Sequence, residues 1–461
     1  MDIYDIIIVG ASTTGSYFAW RMAQRGFSVL VLEKDSRESI SPDYDIFHMG
    51  TDEMEQFGLP PVSEGDGIFA FRFKHSSTRS SFGNHPKDSV YEVTGMHKGA
   101  YIRLMNDYAR RAGAVIVYGA SFKSLLFDAE GRINGVVYEK DGAELCAACR
   151  LTADCSGIPA VVRTSLPEGY GSESFKLTAD DVFFVVLKYI KYNKKPSEGT
   201  KPSDELRSDS WIYYKTWLAP AGAQADGILG VGANFGYDYA LKMLDLFTQN
   251  VKLPEYTVIK TEKGRTPYHR TPYSFVADGF IAMGDAACLT KPFCGEGCTS
   301  AMVQADIAVQ VASKAMENGL YPTREALWSI NKLYNNGQGK DFAGLLAMLT
   351  GVVKHSVKAN EFMFANDVVF SNKILGGMGG GMTLTAGDYI KTACGFLKGL
   401  ITGKLRTAEV KSILGGVLAG GKITEHYAAF PQTPQGFDAW VKAADELWEK
   451  AGKMSDWRLL D

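Results

Sequence analysis

The chain opens on an apolar run of strand length, Tyr4–Val9 (YDIIIV), of the kind a parallel strand covered on both faces requires. Helical spacing continues through Phe18, Met22 and Ala23, and Gly26 ends that helix. Ser28–Leu32 (SVLVL) predicts a second strand. Further along, Ala100–Ala109 reads as a helix followed by Gly113 and the strand Ala114–Tyr118. Two more strands are expected at Leu151–Asp154 and Gly279–Met283, and Thr299–Met316 is expected to be helical. Val182–Leu187 and Ser210–Tyr214 are strand-like runs flanking a polar surface loop, Tyr192–Ser203, so residues 180–265 read as an antiparallel sheet. Residues 66–94 are also strand-rich and are expected to join it. From about residue 325 the pattern turns helical, with Gly376–Gly381 as a break.

These elements punctuate four chemically suggestive turns. Gly10-Ala-Ser-Thr-Thr-Gly15 lies between the first strand and the first helix. There Gly10 permits a sharp turn, Gly15 permits close packing, and the helix N-terminus, with Thr14 in its first turn, points free N–H groups at a diphosphate. The second strand delivers Glu33, followed by Lys34, about 20 residues on, where a carboxylate accepts hydrogen bonds from a ribose. The middle glycine of the usual pattern is replaced by Ser12. Asp154-Cys-Ser-Gly157 forms a strand-to-helix turn. Gly284-Asp285, followed by Lys291-Pro292-Phe-Cys294-Gly295-Glu-Gly297-Cys298, resembles the loop that closes over the ribityl chain and ring of FAD. A nicotinamide enzyme needs only the first of these turns, so the set points to FAD. The helix that starts near Thr299 would direct its N-terminus at the ring, favouring negative charge there by ~0.3–2 kcal/mol.

Composition narrows the classes without choosing among them. The net charge of −3 argues against a nucleic-acid partner. No apolar run reaches the roughly 18 residues that span a bilayer, and the first strand begins too early for a signal peptide. Seven scattered cysteines do not form a disulfide framework, and Cys146-Ala-Ala-Cys149 has no second pair at zinc spacing. No metal site and a reduced, cytoplasmic setting are therefore expected.

The N-terminal glycines, the helix carrying Arg103, Asp154-Cys-Ser-Gly157 and Gly295-Glu-Gly297-Cys-Thr-Ser-Ala-Met302 together resemble the geranylgeranyl reductase family, over about residues 1–320. The resemblance implies an α/β (α+β) fold. A Rossmann-like FAD-binding domain would comprise residues 1–65, 96–178 and 266–325. An antiparallel sheet domain for the substrate would comprise 66–95 and 179–265, with a helical region over 326–461. It further implies that Arg103 reaches the cofactor, that Asp285 binds ribityl hydroxyls, that Pro292 lies beside the flavin, and that the backbone near Phe122 meets the adenine. The implied chemistry is reduction of carbon–carbon double bonds in a hydrophobic, isoprenoid-like or lipid substrate, with electrons from a nicotinamide or a redox protein.

Two departures qualify the resemblance. The family's Tyr-x-Trp-x-Phe-Pro cavity stretch is partial here: Trp217 and Pro220 are in place, but Lys215 and Ala219 replace the tyrosine and phenylalanine. The family's Lys-x-Cys-Gly segment falls on Ser41–Gly50, which holds no cysteine. Cys294 could supply a thiol from the other loop, and Trp217 could form substrate wall. A monooxygenase or halogenase on the same fold is the alternative, although of the halogenase Trp-x-Trp-x-Ile-Pro only the second tryptophan and proline are met. An electron-transfer flavoprotein acting on quinone is a third reading; the iron–sulfur cluster typical of that type lacks ligands, since only Cys394 follows Cys298. The apolar face and lysines of Asp388–Lys404 allow three roles: packing against the core, resting on a membrane surface, or capping the substrate tunnel.

Overall fold

The computed structural model describes residues 2–42, 44–78, 80, 85–194, 214–250, 253–352, 355–373 and 385–452. The loop and strand expectations at 195–213 and the glycine break at 376–381 lie outside them. At the centre is a six-stranded sheet in the order Val276–Ala277, Phe280–Ala282, Leu151–Asp154, Ile6–Val9, Val29–Glu33, Val115–Tyr118. All neighbours are parallel except the first pair. Ile6, Ile7 and Ile8 are fully buried, which explains their unbroken apolar pattern: in a parallel sheet both faces are covered. The helices Thr13–Gln24, Lys98–Arg111 and Cys298–Ala315, packed side by side, cover one face.

A second, four-stranded sheet (Asp2–Ile3, Ala143–Ala148, Ile133–Lys140, Ala120–Phe127) packs on the first. It holds Cys146, which is exposed; Cys149, just past the end of its Ala143–Ala148 strand, is buried, and both are free thiols.

The insert over 180–265 is the expected antiparallel sheet, in the order Tyr214–Ala219, Gly227–Ala233, Val182–Tyr192, Tyr256–Pro267. It also contains a helix, Tyr237–Asn250, that the strand-based reading did not anticipate. The signal was present: Ala240, Met243, Leu244 and Phe247, all buried, recur at helical spacing. A three-stranded sheet of Ile46–Gly50, Lys87–His97 and Phe69–Thr78 packs against this insert through Ile46, Phe71, Leu187, Tyr189 and Ile228. Ile46–Gly50 thus pairs with the strands of the 66–95 segment.

The C-terminal region is helical: Arg324–Tyr334, Lys340–Val352, Val357–Ala365, Ala386–Ile401, Thr407–Ala428 and Phe437–Ala451. His355, buried in this layer, has Nδ1 2.8 Å from the Val352 carbonyl, and Nε2 3.2 Å from the Asn360 amide nitrogen. A neutral imidazole satisfies both contacts by donating at Nδ1 and accepting at Nε2. Burial lowers its pKa to about 4. Below the unfolded value of ~6.5 the unfolded chain binds a proton the folded chain refuses, so stability falls as pH drops from ~6.5 toward 4, by about 3 kcal/mol in all. Urea midpoints measured between pH 7 and pH 4.5 are therefore expected to fall less steeply for His355→Gln than for the parent chain. Equal slopes would contradict this assignment.

Candidate functional site

A cavity of about 830 Å³ runs between the parallel sheet and the antiparallel insert. Its walls include Gly10, Ser12, Thr13 and Thr14 at one end and Cys294, Gly295, Glu296, Gly297 and Cys298 at the other. The two turns, at least 280 residues apart in sequence, thus share one space.

At the first end the chain leaves the Ile6–Val9 strand with Gly10 at φ +104°, a conformation side-chain-bearing residues rarely adopt. A Cβ at Gly10 would stand 2.3 Å from the Cys155 carbonyl oxygen, and one at Gly15 would stand 2.0 Å from the Gly10 oxygen. Gly15 does not line the cavity; it lets the helix lie against the turn. Ser12 precedes the Thr13–Gln24 helix without capping it by its side chain, and no acidic residue stands in the first turn. The uncapped N–H groups and positive dipole end therefore face the cavity, as a diphosphate requires. Glu33, at the end of its strand, accepts hydrogen bonds from the Ala11 and Asp35 N–H groups at 2.8 and 2.9 Å. Burial raises its pKa, and these two bonds oppose the rise. Lys34, Phe122 and Gly157 line the same end.

Asp154 does not reach the cavity. Its buried carboxylate accepts from Ser156 N, Ser156 Oγ, Val162 N and Arg163 N at 2.6–3.1 Å, and so shapes the turn that presents Gly157. Arg103 is likewise absent from the walls; its guanidinium approaches the Glu38 carbonyl at 3.5 Å. The same helix presents Lys98 to the cavity instead. A lysine at a helix N-terminus opposes the dipole, and this one faces Asp285, whose pKa it lowers against a larger rise from burial.

At the second end Gly284 and Asp285 line the wall, with Thr290 Oγ1 3.4 Å from the Asp285 carboxylate. Pro292 is buried behind the loop, in a turn closed by Gly295 N to Lys291 O (2.9 Å) and Lys291 N to Glu296 O (2.7 Å). Glu296 accepts from Thr299 N at 2.8 Å at the start of the Cys298–Ala315 helix, and burial raises its pKa. Burial pushes the Cys298 thiol up as well, whereas Cys294 sits at the wall with its Sγ toward the Lys291 carbonyl.

The remaining walls are largely apolar. Trp217 projects from its strand opposite Gly230, where a Cβ would stand 2.1 Å from the indole; glycine there makes room for the ring. Phe71, Phe73, Phe183, Leu187 and Ile228 extend this surface, and Tyr268 stacks on Phe183 at 4.0 Å. The sequence reading missed Phe71, Phe73, Lys98 and His48, all of which line the cavity. The alternating Phe69-Ala-Phe71-Arg-Phe73 carried a signal for the first two.

The uncapped helix, the strained glycine turn and the continuous cavity fit FAD: Gly10–Thr14 would hold the diphosphate, Glu33 the ribose, Asp285 the ribityl chain, and Gly295–Cys298 the ring. Residues 3–223 match the family model described as an FAD binding domain. The chain is 20% identical to the digeranylgeranylglycerophospholipid reductase of Sulfolobus acidocaldarius, over 98% of each protein. Among solved structures, a geranylgeranyl bacteriochlorophyll reductase-like protein of Thermoplasma acidophilum superposes with a TM-score of 0.65 at 16% identity, covering 97% of this chain and all of that one. The flavin-dependent brominase Bmp2 gives 0.61 at 15% identity, covering 87% of this chain and all of its own, and so shares the fold. The domain match, the full-length similarity and the shared fold agree: the chain carries an FAD-binding domain and is similar along its whole length to geranylgeranyl reductases.

Proposed function

We propose that the protein is an FAD-dependent reductase that saturates carbon–carbon double bonds of a hydrophobic, isoprenoid-like lipid. The observation that carries this reading is the apolar wall of Trp217, Phe71, Phe73, Leu187 and Ile228 facing the Gly295–Gly297 loop across one cavity. Such a wall binds a chain with no polar handle along most of its length. When bound, FAD supplies the hydride, having taken its electrons from a nicotinamide or a redox protein. The residues' part is to hold the alkene against the loop and to exclude water. The helix N-terminus at Cys298 favours negative charge at that end of the cofactor. Cys294 borders the same space, and a role for its thiol belongs to this proposal.

The test is anaerobic. The protein is loaded with FAD, reduced chemically, and mixed with geranylgeraniol; the flavin absorbance at 450 nm is expected to return faster than without the alkene. No acceleration by any polyprenyl alkene would reject the reading.

A lipid substrate has to be reached, and one surface suits that. On the helix Ala386–Ile401, Gly395, Phe396 and Gly399 pack inward, while Ile390, Leu397 and Ile401 are 64%, 59% and 77% exposed. Residues 386–428 carry six lysines and arginines against three carboxylates, in a chain of net charge −3. An exposed apolar stripe beside locally excess positive charge suits the surface of an anionic bilayer. No helix among the described residues is long and apolar enough to cross one. The protein is expected to float with vesicles containing phosphatidylglycerol and less with pure phosphatidylcholine. The double variant Leu397→Glu, Ile401→Glu should lose most of that binding; undiminished flotation would contradict this face as the contact.

A further inference from the structure

Saturating an alkene requires a proton as well as a hydride, and the thiol segment expected near the flavin is absent. The stretch that matches it, Ser41–Gly50, ends in the strand Ile46–Gly50. That strand leads directly into the helix Thr51–Gln56, whose Glu53 accepts a hydrogen bond from Thr299 Oγ1 at 2.7 Å. Thr299 stands in the first turn of the helix that follows the Gly295–Gly297 loop. The strand is thus tied to the end of the cavity where the ring would lie.

Its two faces are occupied differently. Ile46 belongs to the apolar cluster of the substrate side, with Phe71, Leu187 and Ile228. His48, two residues on, shares that face. Directly across the strand pair from His48 is Gly95, and the space a Cβ would take there holds the Phe71 ring, at 2.3 Å. Residues directly opposite in an antiparallel pair point the same way, so His48 stands beside Phe71, and both line the cavity.

Three other protic groups on the wall are poorly placed for the task. The Tyr237 hydroxyl donates to the Gly264 carbonyl at 3.1 Å, Glu296 caps Thr299 N, and Cys298 holds its proton too tightly. Lysine and arginine side chains are ordinarily weak acids at neutral pH. Imidazole is the side chain whose ordinary range spans neutrality, able both to give a proton and to recover it.

We propose that His48 is the proton donor of the reduction, a reading that rests on the proposed function above. Reduced FAD, when bound, would supply the hydride to the more substituted alkene carbon, and the ring N–H of the His48 imidazolium gives the proton to the other. Two C–H bonds form as the π bond, the imidazolium N–H bond and the hydride-donating N–H bond of the reduced flavin break; the alkene is reduced, the flavin oxidised, and the neutral imidazole is reprotonated by water, which leaves hydroxide.

Two measurements test it. Diethyl pyrocarbonate should modify His48 in the FAD-loaded protein, as read by peptide mass, and geranylgeraniol should protect it. In anaerobic mixing, His48→Gln should slow geranylgeraniol-dependent oxidation of the flavin by roughly 100-fold or more, with FAD content and visible spectrum unchanged. His48→Ala should recover with added imidazole, which a packing role would not produce. A His48→Gln rate within twofold of the parent, modification indifferent to geranylgeraniol, or no rescue by imidazole would overturn the assignment. A parent protein that shows no alkene-dependent oxidation at all would overturn the proposed function, and the proton donor with it.

Discussion

Gly10→Ala is expected to yield protein with less than a tenth of the parent's FAD. The added Cβ meets backbone atoms, the Cys155 oxygen at 2.3 Å and its carbon at 2.8 Å, and neither can swing aside as a side-chain tip would. The turn is held on both flanks, by Gly10 N to Leu32 O and Cys155 N to Val9 O at 2.8 and 2.9 Å, so relief must come from displacing the turn itself. The strained φ adds ~1–3 kcal/mol. Moving the turn also moves the N–H groups of the following helix away from the diphosphate, and each ~1.4 kcal/mol lost there is tenfold in affinity. Gly26→Ala is the control: its φ is also positive, at +85°, but nothing lies within 4 Å of the added atom. FAD content, measured by absorbance after heat release, should be normal in that variant. Normal content in Gly10→Ala would remove the glycine turn from the cofactor site.

The second large effect is on folding. Arg163 is fully buried, donating Nε to Ala286 O at 2.8 Å and Nη1 to Glu173 O and Phe175 O at 2.8 and 2.9 Å, with its guanidinium 4.1 Å from the Phe175 ring. It joins the turn after Asp154, the segment at 173–175 and the turn after Asp285. Arg163→Ala strands three carbonyls at once, and a loss of about 3–5 kcal/mol is expected, a large part of the stability of an ordinary domain. Urea denaturation reads this directly. Arg163→Lys should recover only part, since an ammonium group cannot reproduce the planar fork. A loss under 1 kcal/mol would contradict the role given to this side chain.

The parallel-sheet half of the fold was readable because its elements carry local signals. An apolar run, a glycine turn and a terminal carboxylate occupy one short stretch, and strands buried on both faces cannot hide their composition. What escaped notice depends on how distant elements meet. Lys98 and Arg103 lie on the same helix, and only the pairing of the preceding strand decides that Lys98 faces the cavity. Asp154 looked like a cofactor contact from its turn; in the folded chain four hydrogen bonds from its own turn occupy it. His48 had no motif around it. Its significance arises from a glycine across the strand and a phenylalanine packed above that glycine.

The most direct test of the whole account is the mass of the product. A geranylgeranyl lipid incubated with the FAD-loaded protein and a chemical reductant, in the absence of dioxygen, is expected to gain two hydrogens for each double bond saturated. A product that forms only in air and carries an added oxygen, or only with halide and carries a halogen, would contradict the reductase reading.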